Sequence, residues 1–203
     1  MGGYVLTSHN ASSLVIDKLG DQARIQEVTV ACFYFDFAVQ MEQSPASMLG
    51  AVLRQVVVGL EKLPGEIAQA YGDEKHVIGG RGPQLTDIVT MLENTARLKR
   101  TFICIDALDE CAAEYRAEIL ESLNRILQRS PGTRVFVTGR PHIEAEVREL
   151  LSRRVMALQI TPRRDDIIRY LHRRLEKDTR PGAMDRSLKE DILKKIPEDV
   201  SEM

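Results

Sequence analysis

The chain has 203 residues, 43% of them hydrophobic, which is enough for one sizeable core and the beginning of a second unit. Its 28 basic and 30 acidic side chains leave a formal charge of -2, so neither the basic footprint of a nucleic-acid binder nor that of a protein held on an anionic membrane is present. No apolar run approaches the ~20 residues needed to cross a bilayer, and the three cysteines, Cys32, Cys104 and Cys111, form no C-x-x-C pair. A cytoplasmic protein with reduced, core-forming cysteines is expected, with no nucleic-acid or membrane partner.

Ala11, Leu14, Val15 and Leu19 share one helical face, which predicts a helix over about 8–19 stopped near Gly20. The run VTVACFYFDF over 28–37 is too continuously apolar for a half-exposed strand and reads as one buried on both faces. Ser44 before Pro45 is a helix start, since the serine oxygen can cap free amides and proline suits the first turn. Met48, Leu49, Val52, Leu53, Val56, Val57 and Leu60 follow as a broad apolar stripe.

Residues 72–83, GDEKHVIGGRGP, carry four glycines and no periodicity and read as an exposed loop. Their IGGRG follows no strand and is not continued by Lys-Ser or Lys-Thr, so it is not read as a phosphate cradle. Leu85, Ile88, Val89, Leu92 and Ala96 restore helical spacing ahead of a strand at 101–105. Ile119, Leu120, Leu123, Ile126 and Leu127 define another helix, and Pro131-Gly132 turns the chain into a strand at 133–138. Pro141 opens a short glutamate-rich helix, and 155–160 is a candidate last strand. Beyond Thr161 and Pro162, a further helix start, only helical pattern remains: Ile167, Ile168, Leu171 and Leu175, then Leu188, Ile192 and Ile196. Strands and helices alternating at this spacing predict an α/β fold with a parallel sheet covered on both faces over 1–160, followed by the beginning of a helical subdomain over 161–203.

The segment TFICIDALDEC carries the chemistry. A buried strand that ends in Asp106, Asp109 and Glu110 is a way to build a magnesium nucleotide site: the strand fixes the position and the carboxylates hold the metal and polarise water. Asp106 would hold magnesium, while Asp109 or Glu110 would orient or deprotonate the attacking water. Thr138 and Arg140, at the carboxyl end of the next strand, would face a γ-phosphate. The plainer reading of the same acids is that they cap a helix and stabilise its positive end. His9, His76, His142 and His172 are scattered without metal-ligand spacing, and Arg163, Arg164, Arg169, Arg173 and Arg174 read as a solvated helix face. The sequence contains no G-x-x-x-x-G-K-[ST], and its first lysine is Lys18, so the loop that would grip phosphates is missing.

FYFDF at 33–37, MLGAVLRQV at 48–56, FICIDALDEC at 102–111, VFVTGRP at 135–141 and DDIIRYLHRRL at 165–175 together resemble the NACHT-type module of fungal signalling proteins. The resemblance is to the variant called the nephrocystin-3-like N-terminal domain. It implies a STAND-class P-loop NTPase fold in which ATP and magnesium switch oligomerisation and an attached effector domain responds, often with ankyrin or other repeats following. Within it Asp106 resembles the Walker B magnesium ligand, Asp109 and Glu110 the adjoining acidic pair, and Arg140 the sensor arginine with Thr138 beside it. Gly139 replaces a more usual serine.

The family's P-loop strand lies centrally in its sheet, so its absence predicts a gap between the strands near Val135 and Val155 unless residues 4–7 fill it. The resulting expectation is a truncated module that binds nucleotide weakly or not at all. A nucleotide-independent scaffold that binds other proteins, itself included, is the alternative, and a metal-dependent hydrolase using Asp106, Asp109 and Glu110 on another substrate ranks last.

Overall fold

A computed structural model describes residues 4–60, 62–65, 67–69, 83–151, 155–160, 163–176 and 185–201, with side chains from residue 12 onward apart from those of 24 and 198–201. The elements run α1 (Tyr4–Ile25), β1 (Val28–Tyr34), α2 (Pro45–Val58), α3 (Leu85–Leu98), β2 (Arg100–Asp106), α4 (Ala113–Arg129), β3 (Arg134–Val137), α5 (Glu144–Leu150), α6 (Arg164–Glu176) and α7 (Arg186–Ser201). Short 3-10 turns lie at Phe37–Val39, Leu108–Glu110 and Pro141–Ile143. By its contacts the chain divides into one compact unit of Ser8–Ala157 and another of Met1–Thr7 with Leu158–Met203.

The expected α/β architecture is present as a three-stranded, wholly parallel sheet in the order β1-β2-β3. Val28 pairs with Arg100 and Tyr34 with Asp106, and Phe102 pairs with Arg134 and Ile105 with Val137. The helices that connect successive neighbouring strands contact one another as well as the sheet and so share a single face. There α2, α3 and α4 pack over Ala31, Ile103 and Ile105. Met48, Leu49 and Leu53 of α2, Leu92 of α3 and Ile119, Leu120, Leu123 and Ile126 of α4 are fully buried, which places the predicted apolar stripes in the core. Each Leu or Ile so buried contributes roughly 1.5–3 kcal/mol. Ser44 caps α2 by accepting from the Ser47 amide, with Pro45 in the first turn as its ring geometry favours.

Three expectations are corrected. The first helix does not stop near Gly20; it runs Tyr4–Ile25, and since a mid-helix glycine costs only about 1 kcal/mol, flanking helical residues carry it through. Its buried side is set by Ser12, Val15, Ile16, Leu19 and Ala23, while Leu14 is 61% exposed. Residues 4–7 are helical and so fill no strand position. Residues 155–160 form no strand, and Met156 and Leu158 stand almost fully in solvent. The predicted loop is described only at Pro83, and the helix start at Thr161-Pro162 lies outside the described residues.

In the second unit α6 and α7 pack on each other with Ile167, Ile168, Leu171 and Leu175 half-buried, and Arg163, Arg164, Arg169, Arg173 and Arg174 are exposed as a solvated face.

Candidate functional site

Alternation along β2 sends Ile103 and Ile105 into the helical core and Cys104 and Asp106 to the opposite face. On that second face the register brings Cys32 opposite Cys104 and Tyr34 opposite Asp106. Partial burial, with the Cys32 thiol and the Asp106 carboxylate beside it, holds the Tyr34 phenol above its ordinary value. Asp106 is itself 2% exposed, deep for a carboxylate.

Two hydroxyls meet it. Ser12 Oγ, on the buried side of α1, donates to Asp106 Oδ1, and Thr138 Oγ1 donates to the same oxygen from the end of β3. Thr138 is held there by its own backbone: its amide donates to the Ile105 carbonyl at 2.9 Å and its carbonyl accepts from the Leu108 amide at 2.9 Å. Between these bonds Ala107 turns into the left-handed region at φ 55°, which re-aims the chain after the strand, and its amide donates to Thr138 Oγ1 at 3.0 Å. A non-glycine residue in that conformation costs roughly 1–2 kcal/mol. The surrounding bonds sustain it.

The other acidic residues take different partners. Asp109 Oδ2 lies 3.2 Å from Arg140 Nε, and Asp109 Oδ1 accepts from the Arg140 amide at 3.2 Å. Glu110 Oε2 accepts from the Phe37 amide at 3.2 Å, which ties the turn after β2 to the turn after β1. Gly139 lies against Ile143, where a Cβ would come within 2.6 Å of Ile143 Cδ1.

The structure thus brings Asp106 to Thr138 and Asp109 to Arg140 and sets Glu110 against backbone. Sequence reasoning missed Ser12, because a serine on an amphipathic helix reads as solvent-facing; its one signal was its place four residues before Ile16 and seven before Leu19. The fit to magnesium can be judged from these donors. All are hard oxygens, the class magnesium takes. Yet Asp106 Oδ1 is already the acceptor of two hydroxyls, Asp109 is paired with a guanidinium, and among the described residues no three His, Cys, Asp or Glu side chains group as ligands. Magnesium at a nucleotide site takes one or two carboxylates together with phosphate oxygens and water, so Asp106 is the residue that would hold it. Between Ser12 and Thr138 the same carboxylate serves as a hydrogen-bonded clasp.

Two of the three thiols, Cys104 and Cys111, are buried. Burial pushes Cys104 up to about 11, helped by Cys32, and burial does the same for Cys111, with Arg116 opposing and Glu146 adding. His142 and His172 are exposed, and the side chains of His9 and His76 lie outside the described residues.

Fold and site together define an α/β protein in which a parallel sheet delivers a buried aspartate and a Thr-Gly-Arg turn to one edge. The family model described as Nephrocystin 3, N-terminal matches residues 9–140, well over half of the chain, and the chain belongs to that family. The matched stretch holds Ser12, Asp106, Asp109, Glu110, Thr138 and Arg140. None of the curated proteins matches the chain. No helix of the described residues is long and apolar enough to cross a membrane.

Proposed function

We propose that this chain is a NACHT/STAND-type, P-loop NTPase-like module of a larger signalling protein, descended from an ATP- and magnesium-dependent switch, in which nucleotide binding is weak or lost and the scaffold acts through contacts with other proteins. The observation that supports this reading is the engagement of Asp106 Oδ1 by Ser12 and Thr138. A Walker B carboxylate works by offering its oxygens to a metal and its waters. Here that oxygen joins α1 to the sheet. Within these 203 residues no Gly-Lys-Ser or Gly-Lys-Thr occurs. Asp109 and Arg140, which would otherwise position water and report a γ-phosphate, neutralise one another.

The test is equilibrium binding of ATP and ADP to the folded 203-residue chain with and without magnesium. No saturable, magnesium-dependent binding is expected. Saturable binding that needs magnesium and disappears in Asp106→Ala and Asp106→Asn, with both variants shown folded by circular dichroism, would overturn the reading and restore Asp106 as a metal ligand.

A further inference from the structure

The chain between β1 and α2 is tied down by its own side chains. Phe35 is buried, with its ring 5.0 Å from that of Phe33 and its amide donating to the Asp106 carbonyl at 3.1 Å. Gln43 folds back on the strand end: its Oε1 accepts from the Asp36 amide at 3.0 Å and its Nε2 donates to the Tyr34 carbonyl at 3.2 Å. Asp36 Oδ1 accepts from the Ala38 amide at 2.9 Å, and the Asp36 and Val39 carbonyls accept from the Val39 and Glu42 amides. Glu110 holds the Phe37 amide from the turn after β2, and Gln55 of α2 bonds to both backbone groups of Cys32 further back on the strand.

This ordered loop turns its apolar side chains outward. Phe37 is 66% exposed, Met41 61%, Tyr34 47% and Val39 39%. Single exposed apolar residues are ordinary on a protein surface, but several presented together mark an interaction site. Aromatic and methionine side chains are types enriched at protein interfaces, and a loop already locked in one form loses little entropy on docking. The loop follows β1, and β2 separates it from β3, so a strand added beside β3 would not cover it.

The charge around the loop is of one sign. No Lys or Arg occurs from Val28 to Leu53, whereas Asp36 and Glu42 lie on the loop and Glu110 beside it. The ion pairs among the described residues leave all three of these carboxylates out. Apolar side chains set among unpaired negative charges are complementary to apolar side chains flanked by Lys or Arg.

We propose that the loop over 34–42 is the surface through which this scaffold binds another protein, and that the partner presents a short cationic segment whose apolar side chains are flanked by Lys or Arg. The proposal rests on the protein-binding part of the reading above and gives it a place and a partner chemistry. Phe37 and Met41 are the anchors, and Asp36, Glu42 and Glu110 orient the segment.

Selection of random displayed peptides on the full 203-residue chain, followed by titration of the enriched peptides by fluorescence anisotropy, tests this. Peptides rich in Lys or Arg and in apolar residues are expected. Phe37→Ser and Met41→Ser are each expected to weaken their binding by about tenfold or more, the scale of one interface anchor. Glu42→Lys is expected to weaken it as well and to flatten its salt dependence. These three side chains are exposed, so the variants keep the fold. Leu98→Ser, also at an exposed apolar position but beside the start of β2 at the other end of the sheet, is expected to leave affinity unchanged. No enrichment, enriched peptides that are acidic or uncharged, affinity indifferent to Phe37→Ser and Met41→Ser, or an equal loss in Leu98→Ser overturns the proposal. So does a dimer of the chain alone, seen by sedimentation, that Phe37→Ser dissolves, because the loop then serves a second copy. The two readings fail separately: magnesium-dependent ATP binding counts against lost nucleotide binding, whereas these variants report on the loop alone.

Discussion

Thr138 Oγ1 both donates to Asp106 Oδ1 and accepts from the Ala107 amide at 3.0 Å, so one hydroxyl holds the carboxylate at the end of β2 and the turn that follows it. Ser12 adds the first helix to the same oxygen. Removing the carboxylate leaves two hydroxyls without their acceptor at a buried point, at roughly 1–3 kcal/mol for each unsatisfied group. Asp106→Ala is therefore expected to lower unfolding stability by more than Ser12→Ala, which removes a single donor and costs about 1 kcal/mol. A double-mutant cycle between Ser12→Ala and Asp106→Asn, read by urea unfolding, should show coupling of about 0.5–3 kcal/mol. Additive losses would mean that the helix is not pinned through this pair.

Gly139 makes room for a neighbour. A Cβ there would lie 2.6 Å from Ile143 Cδ1 and 3.3 Å from Ile143 Cγ1, and Ile143 is 4% exposed, with little space to retreat. Gly139→Ala is expected to destabilise by about 1–3 kcal/mol through overpacking. Ile143→Val deletes the offending methyl, so the Gly139→Ala, Ile143→Val pair should be more stable than the sum of the single changes predicts. Thermal unfolding of the four chains decides it; additive behaviour would place the cost elsewhere.

The buried thiols set a pH dependence. Cys104 and Cys111 keep their protons up to about 11 when folded, against an ordinary value of 9.0. The unfolded chain releases them first, so it binds fewer protons and gains on the folded state as pH rises. Their contribution to stability is whole below 9.0 and is lost as pH climbs through about 11. Urea midpoints measured from about pH 8 to about pH 10 should fall, and Cys104→Ala and Cys111→Ala should each flatten the decline. An unchanged slope in both variants would assign the alkaline loss to other groups.

Much of the architecture is legible in the sequence because it rests on local periodicity. The stripe from Met48 to Val56, the capped start at Ser44-Pro45 and the apolar run before Asp106 follow from spacing alone, and the structure holds each of them in the expected place. The features that escape depend on partners far along the chain. Ser12 matters only because β2 brings Asp106 beneath it, and no helical pattern reports that. Residues 155–160 have the composition of a strand, but a strand exists only against another, and no partner is supplied among the described residues. Asp109 reads in sequence as a water-positioning acid; its pairing with Arg140 is a matter of how two loops close together, which spacing cannot encode.

Gln55 fixes where α2 can sit along the sheet. Its side-chain amide meets both backbone groups of Cys32, accepting from the amide at 2.9 Å and donating to the carbonyl at 2.8 Å. A slide of α2 by one residue would break both bonds at once, at roughly 1 kcal/mol each, whereas the apolar stripe beside it tolerates small shifts. The helix is therefore keyed to β1 in register as well as packed on it.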